Sequence, residues 1–269
     1  MMFRSWFARP ALAATVTALI MTASPTLAES VTACTLGKVC YCVESGLSGA
    51  INEEIGVIWG LIAKQRSQGK AVGYMSVPLS TVEGSYFPLN VKVAARVKER
   101  VEERLGVRSA WLLNPGAPNI GLPGGAHGAE YMLMWTRVLE GSDGLAPDFD
   151  FVYFVGPGDF AQYLGLDGRG DLEKLEAYYD GLAKTDEGIR AVDKIKFRNY
   201  YGLRASVSFS LGSHDEWNIV RAINQRRREA AGPDGIVKQL AVYFDGHAVP
   251  PGMFEAPVAD GYVGACKPK

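Results

Sequence analysis

What the chain lacks narrows it first. An excess of charge of either sign is missing: 28 basic and 29 acidic side chains leave a net charge of -1. No global field therefore draws it to nucleic acid or to an anionic membrane, and neither is an expected partner. No G-x-G-x-x-G or Walker-type loop is present, which removes the usual fingerprints of nucleotide binding. No G-x-S-x-G elbow precedes a helix, so a serine hydrolase lacks its signature. There is no internal repeat and no low-complexity tract. Beyond the N-terminal segment, no run is apolar over the roughly 20 residues that a membrane span needs. Histidine is scarce. The three present, His127, His214 and His247, fall on separate loops and none neighbours a cysteine. They would suit a converging metal or acid–base set, but surface or capping roles fit that spacing better, and no metal or cofactor is expected.

Cysteine is limited to four residues, Cys34, Cys40, Cys42 and Cys266, an even number gathered at the two ends of the chain. In an oxidising compartment this pattern points to disulfides. Cys40 and Cys42 are too close to pair readily with each other, so at least one long-range bridge is expected, such as one tying the N-terminal segment to the C-terminal tail. A zinc site fits less well, because structural zinc favours two-to-four-residue gaps in both ligand pairs.

The N-terminus supplies the compartment. Arg4 and Arg9 form a positive region, Ala11 to Ala23 an apolar stretch, and Thr26-Leu27-Ala28 a small-residue cleavage site before Glu29, the three parts of a secretory signal. The apolar run is too short for an anchor. Val31-Thr32-Ala33-Cys34 resembles a lipid-attachment site, but the polar Glu29-Ser30 pair separates it from the apolar run. Cleavage after Ala28 is the expectation, with export to the periplasm or beyond and no stable membrane insertion afterwards. The chain then divides into a signal over 1–28, a cysteine-containing segment over 29–47, a single α/β domain over 48–245 and a tail over 246–269 that carries Cys266. An apolar content of 48% is ample for a core in a domain of that length.

Along the domain, helical and strand-like patterns alternate. Ile51, Ile55, Ile58 and Ile62 fall at helical spacing over 48–68, with Gly69 as a stop; Leu89, Val93, Val97, Val101 and Leu105 do the same before Gly106. Further helices are expected near 129–140 and around Leu172, Leu175, Tyr179 and Leu182. Ser213 and Glu216 make an S-x-x-E capping box for another, which carries Trp217, Val220 and Ile223. Strand-like runs lie at 70–77, 109–113, 150–155, 204–211 and 239–244. Helices that regularly separate apolar strands imply right-handed crossovers, hence a five-stranded, mostly parallel, doubly wound sheet in a three-layer, flavodoxin-like sandwich. The segment 194–204 (KIKFRNYYGLR) interleaves bases with Phe197, Tyr200 and Tyr201; it would suit base stacking, but reads more simply as a solvated connector. The tail is expected to wrap over the surface to Cys266.

In such sheets ligands bind beyond the carboxyl ends of the strands. The loops predicted there start at Ser76, Asn114, Gly156, Gly212 and Asp245. Tyr74, Ser76, Asn114, Gly156 and Ser213 are therefore candidate ligand contacts, although a core role suits Tyr74, a turn role Asn114 and a cap role Ser213. Asp159, on the loop after the third strand, is a candidate second acid or sugar-hydroxyl ligand.

The run GYMSVPLS, then Asn90 entering a helix, Asn114-Pro115, and EYMLMWTRVL leading to Asp150 and FVYFVGP resembles the nucleoside 2-deoxyribosyltransferase-like superfamily over roughly residues 70–180. The resemblance implies a three-layer fold of the kind already drawn from the pattern. It also implies cleavage or transfer of an N-glycosidic bond, with a glutamate attacking the anomeric carbon. The family places that glutamate in a glycine-small-x-x-Glu run after the third strand. Here the nearest run at that place is Gly170-Asp171-Leu172-Glu173, one residue short, followed by Glu176. Glu173 with Asp159 is accordingly the catalytic expectation, against a plainer role for Asp171 and Glu173 in the first turn of a helix, where acids favour the dipole. The functional expectation is an exported protein with a small-molecule pocket acting on a nucleoside-like ligand. The alternative is a non-catalytic binding or interaction protein on the same fold. Nothing in the sequence speaks to oligomeric state.

Overall fold

A computed structural model describes residues 29–79, 82–204, 210–232, 235 and 238–267. The expected signal lies outside them. Among the described residues, no helix is long and apolar enough to cross a membrane.

The chain opens with an antiparallel hairpin, β1 (Ser30–Cys34) and β2 (Cys40–Glu44), whose strands are closed by the Cys34–Cys40 disulfide. Helix α1 (Ser48–Ser67) follows and buries Ile51, Ile55, Ile58 and Ile62, the stripe read from its spacing. Next come β3 (Ala71–Ser76), α2 (Phe87–Leu105), β4 (Ala110–Leu113), α3 (Gly128–Glu140), β5 (Phe151–Phe154), α4 (Pro157–Leu164), α5 (Asp171–Leu182), α6 (Glu187–Arg190) and α7 (Lys194–Asn199). A π-helical turn over 200–204 leads toward α8 (Leu211–Ala231), then β6 (Ala241–Phe244), β7 (His247–Ala248) and α9 (Pro251–Phe254).

The main sheet has the order β4-β3-β5-β6-β7. Its first four strands are parallel, with Tyr74 opposite Leu113 on one side and Val152 on the other, and only β7 is antiparallel. Five strands and a mostly parallel sheet match the expectation, but the membership differs. The strand expected over 204–211 falls mostly on 205–209, which lie outside the described residues; of its described ends, Arg204 closes the π-helical turn, Ser210 caps α8 and Leu211 begins it. Among the described residues, the fifth strand of this sheet is the two-residue β7. The connector reading of 194–204 also changes, because Phe197, Tyr200 and Tyr201 are buried there. Their spacing serves a core, not a stacking surface.

Because side chains alternate along a strand, each strand feeds two cores. Val72 and Tyr74 of β3 join Val152 and Phe154 of β5 on one face, under α1, α3 and α8. Met75, Phe151 and Tyr153 belong to the opposite core, with α2, α4, α5 and α7. Helices on both faces make three layers. The hairpin extends the first of them: Tyr41 and Val43 are buried there, and the Tyr41 hydroxyl lies 2.8 Å from Thr136 Oγ1 of α3. Glu140, at the far end of α3, accepts from Thr35 Oγ1 and the Gly37 amide, both at 3.0 Å.

The carboxyl ends of β3, β4, β5 and β6 share an edge, and the chain leaves β3 for β4 on one side and returns to β5 on the other. A crevice forms at such a reversal of strand order.

Candidate functional site

A cleft of about 640 Å³ opens at that edge. Val77 and Leu79 after β3, and Pro115 and Gly116 after β4, form one part of its lining. The first turns of α3 and α8 form another, through His127, Gly128, Gly212 and Ser213. Four aromatic residues stand in its walls: Phe87, Tyr131, Trp135 and Tyr262. An apolar, ring-lined cleft with few polar groups is the usual form of a small-molecule site.

The polar centre of the cleft is Glu216. It sits one turn into α8, three and four residues ahead of Ile219 and Val220, on the stripe that helix buries. That face turns it toward β3, where Tyr74 and Ser76, two residues apart and so on one side of the strand, both donate to it. Tyr74 Oη reaches Oε1, and Ser76 Oγ reaches Oε2 at 2.5 Å. Tyr74 and Ser76 are fully buried and Glu216 is only 5% exposed. Burial pushes the Glu216 carboxyl up to about 7, and the neighbouring Asp215 carboxyl pushes in the same direction, while the two hydroxyl donors pull it down. Desolvation penalises the charged form and hydrogen bonds to it favour it, so here the first wins. The Tyr74 hydroxyl is itself held protonated, chiefly by burial and then by the Glu216 charge, and so remains a donor. The result is a carboxyl poised to change protonation near neutral pH while facing an apolar cavity.

Two further polar groups line the cleft. Ser213 Oγ, one turn before Glu216 and 1% exposed, has no hydrogen-bond partner among the described residues. His127 lines the cleft from the start of α3, where its backbone amide donates to Glu130 Oε2 at 2.9 Å. The capping box expected of Ser213 and Glu216 is replaced: Ser210 is the N-cap of α8, its hydroxyl accepting from the Ser213 amide at 3.4 Å. With the cap supplied three residues earlier, Glu216 is left to face β3 and the cleft.

Of the expected ligand contacts, Tyr74, Ser76 and Ser213 thus meet at one carboxylate. Asn114 turns inward, its Oδ1 accepting from the Gly116 amide at 2.8 Å, so it shapes the turn whose next residues line the cleft. Gly156 is the N-cap of α4, further along the same edge; a Cβ there would lie 2.4 Å from that of Asp245. Glu173 is exposed on the first turn of α5 and does not line the cleft. Glu176 forms an ion pair with Arg198 at 2.7 Å.

Asp159 is buried, but among structural partners. The Tyr153 hydroxyl and the Gly156 amide donate to it at 3.0 Å, and Arg100 pairs with it. Burial raises its carboxyl from the ordinary value against these contacts. Arg100→Met leaves this carboxyl without its cation, and the expected cost is about 3 kcal/mol of folding stability. An unchanged denaturant midpoint would contradict that structural assignment. Asp150, read as leading into the third strand, lies at the other end of the sheet's strands, bound by Arg66 at 2.6 Å and by the Val72 amide at 2.9 Å. Among the described residues, no group of three or more His, Cys, Asp or Glu could hold a metal ion.

Glu216 was hidden in the sequence because the S-x-x-E spacing accounted for it as a cap. The available signal was its place on the apolar stripe of α8, where an acid is expensive unless something receives it. Tyr74→Phe removes one of its two donors. The Glu216 titration, followed by its infrared carboxyl band, is expected to move to more alkaline pH; an unmoved band would separate Tyr74 from the carboxyl's energetics.

Compared with known proteins, the chain matches no family model, no curated protein and no solved structure.

Proposed function

We propose that the cleft binds a nucleoside-like ligand and that Glu216 carries out cleavage or transfer of its N-glycosidic bond. The observation that carries this reading is the buried carboxyl, raised to about 7, held by Tyr74 and Ser76 at the floor of a ring-lined cleft. A glycosidic bond breaks through a transition state with positive charge on the sugar, which a nearby carboxylate stabilises or captures. The ionised Glu216 attacks the anomeric carbon, and the carbon–nitrogen bond breaks with its electron pair leaving on the base. His127 supplies a proton to the departing nitrogen. Water then releases the sugar in hydrolysis, or a second base takes it in transfer, and Glu216 is regenerated.

The glycine-small-x-x-Glu spacing of the deoxyribosyltransferase-like superfamily is met by Gly212-Ser213-His214-Asp215-Glu216, which lies outside the 70–180 stretch that carries the resemblance, whereas the run ending at Glu173 is one residue short. The sheet order and three layers are compatible with that family's fold, which we adopt as part of the proposal. The two disulfides support an oxidising compartment, hence export through the N-terminal signal.

The test is a turnover screen of residues 29–269 against purine and pyrimidine nucleosides and 2′-deoxynucleosides, with chromatographic detection of free base. The reading predicts release of base by at least one of them. Binding without release, seen by thermal shift, would favour the non-catalytic alternative; neither binding nor release would remove the nucleoside reading.

A further inference from the structure

The C-terminal segment beyond α9 does more than close the surface. Its backbone is strapped to the exposed side of α8: the Trp217 indole donates to the Ala256 carbonyl at 3.1 Å, and Asn218 exchanges hydrogen bonds with Val258 in both directions. The strap then crosses the start of α8, where the Gly261 and Tyr262 amides donate to the two oxygens of Asp215, each at 2.7 Å. Asp215 is wholly buried, so a carboxylate adjacent to Glu216 in sequence is committed to fixing the backbone of two strap residues. Beyond them the Gly264 amide donates to the Cys40 carbonyl at 2.8 Å, and Cys266 is bonded to Cys42 of the hairpin.

The close approaches on this path require glycine. A Cβ on Gly261 would stand 1.9 Å from the Leu211 carbonyl oxygen, and one on Gly128 would stand 2.2 Å from the Tyr262 ring. The strap therefore passes tight against the first turn of α8, and the Tyr262 ring lies directly against the first turn of α3. From there the ring forms part of the cleft wall. Among the described residues, no other residue of the tail lines the cleft. Two anchors, one buried carboxylate and one disulfide, bracket a single aromatic side chain at the mouth of the site.

We infer that Tyr262 is a specificity-determining residue of this site, the face on which the planar base of the ligand lies, and that Asp215 is its positioning residue. The inference rests on the nucleoside reading above and adds where the base goes. An aromatic face is tolerant of base identity but not of a ligand without a planar ring. It also gives the tail a functional role distinct from its contribution to stability.

The experiment uses residues 29–269 carrying Glu216→Gln, so that ligand is not consumed, titrated calorimetrically with 2′-deoxyadenosine, 2′-deoxyinosine and thymidine. Tyr262→Phe, which keeps the ring, is expected to bind as the parent does. Tyr262→Leu, which keeps apolar bulk without a planar face, is expected to weaken binding about ten- to hundredfold, with its thermal unfolding close to that of the Phe variant. Equal affinity of the Leu and Phe variants would overturn the role of Tyr262 and leave the nucleoside reading standing. If the parent binds none of the three, the nucleoside reading itself fails and the inference falls with it. Asp215→Asn supplies the second readout: it keeps one acceptor for two amides, and its affinity is expected to fall between those of the Phe and Leu variants. Affinity equal to the parent's would remove Asp215 as the positioning residue.

Discussion

Glu216→Gln is expected to abolish base release, by at least about 10³-fold, while the ligand still binds. The substitution keeps the shape of the side chain and both of its neighbours. Tyr74 and Ser76 hydroxyls accept as well as donate, so a carboxamide finds partners where the carboxyl did. What it removes is the charge that, in the proposed reaction, attacks or stabilises the sugar carbon. The same variant is expected to be more stable than the natural chain at alkaline pH.

The sign follows from linkage. The folded-state carboxyl is raised to about 7 from an ordinary 4.5, so between those values the folded chain holds a proton that the unfolded chain has released. Stability from this group is full below 4.5 and declines as pH rises through 7. The total loss is about 3 kcal/mol above that. Tyr74, Tyr41 and Asp215 face the same carboxyl and none relieves it with a positive charge. Glutamine carries no such penalty. Denaturant curves of the two proteins should coincide near pH 5 and separate by pH 8 with the variant ahead. A variant less stable at both pH values would mean that the carboxyl is a structural asset. Stability given up at a buried charged group is the expected mark of a working site.

Removing the Cys42–Cys266 bridge is the second large effect. It joins residues 224 apart, so its loss frees a loop that spans nearly all of residues 29–267. Loop-closure entropy puts the cost at roughly 3–5 kcal/mol, a large share of a typical domain's stability. The Cys34–Cys40 bridge closes a separation of only 6 and is worth about 2 kcal/mol on the same reasoning. Chemical denaturation of Cys42→Ser/Cys266→Ser and Cys34→Ser/Cys40→Ser should rank them in that order. Equal losses would show that the long bridge adds nothing by closure. Because Asp215 holds Tyr262 independently of the disulfide, ligand affinity of the long-bridge variant should stay close to that of the oxidised protein while it remains folded.

The architecture was legible where periodicity is strong. The isoleucines of α1 and the valines of α2 bury the faces their spacing marks, and the apolar runs at 70–77, 109–113, 150–155 and 239–244 pair in parallel. Short or composite elements were harder. Helix α4 begins at Pro157 and Gly158, residues that read as loop, because Asp159 and Asp245 supply its capping contacts from either side. Of the run at 204–211, only the ends lie among the described residues, and they belong to helical turns. The hairpin of 30–44 was invisible as structure because the face of α3 against which it packs is remote in sequence.

The site was half legible for a related reason. Strand geometry placed Tyr74 and Ser76 at the carboxyl edge. Their partner was obscured by local chemistry: an acid three residues after a serine at a helix start has a complete explanation as a cap. Only tertiary structure reveals that Ser210 already fills that role. The strap was equally hidden, since nothing near residue 262 signals that a buried carboxylate at 215 waits for its amides.

The most direct test is to quench the protein with acid during turnover of a 2′-deoxynucleoside, digest it, and map the peptides by mass. One deoxyribosyl unit is expected esterified to the peptide that contains Glu216, and none in the Glu216→Gln protein. A deoxyribosyl adduct on the peptide bearing Glu173 and Glu176 would overturn Glu216 as the nucleophile.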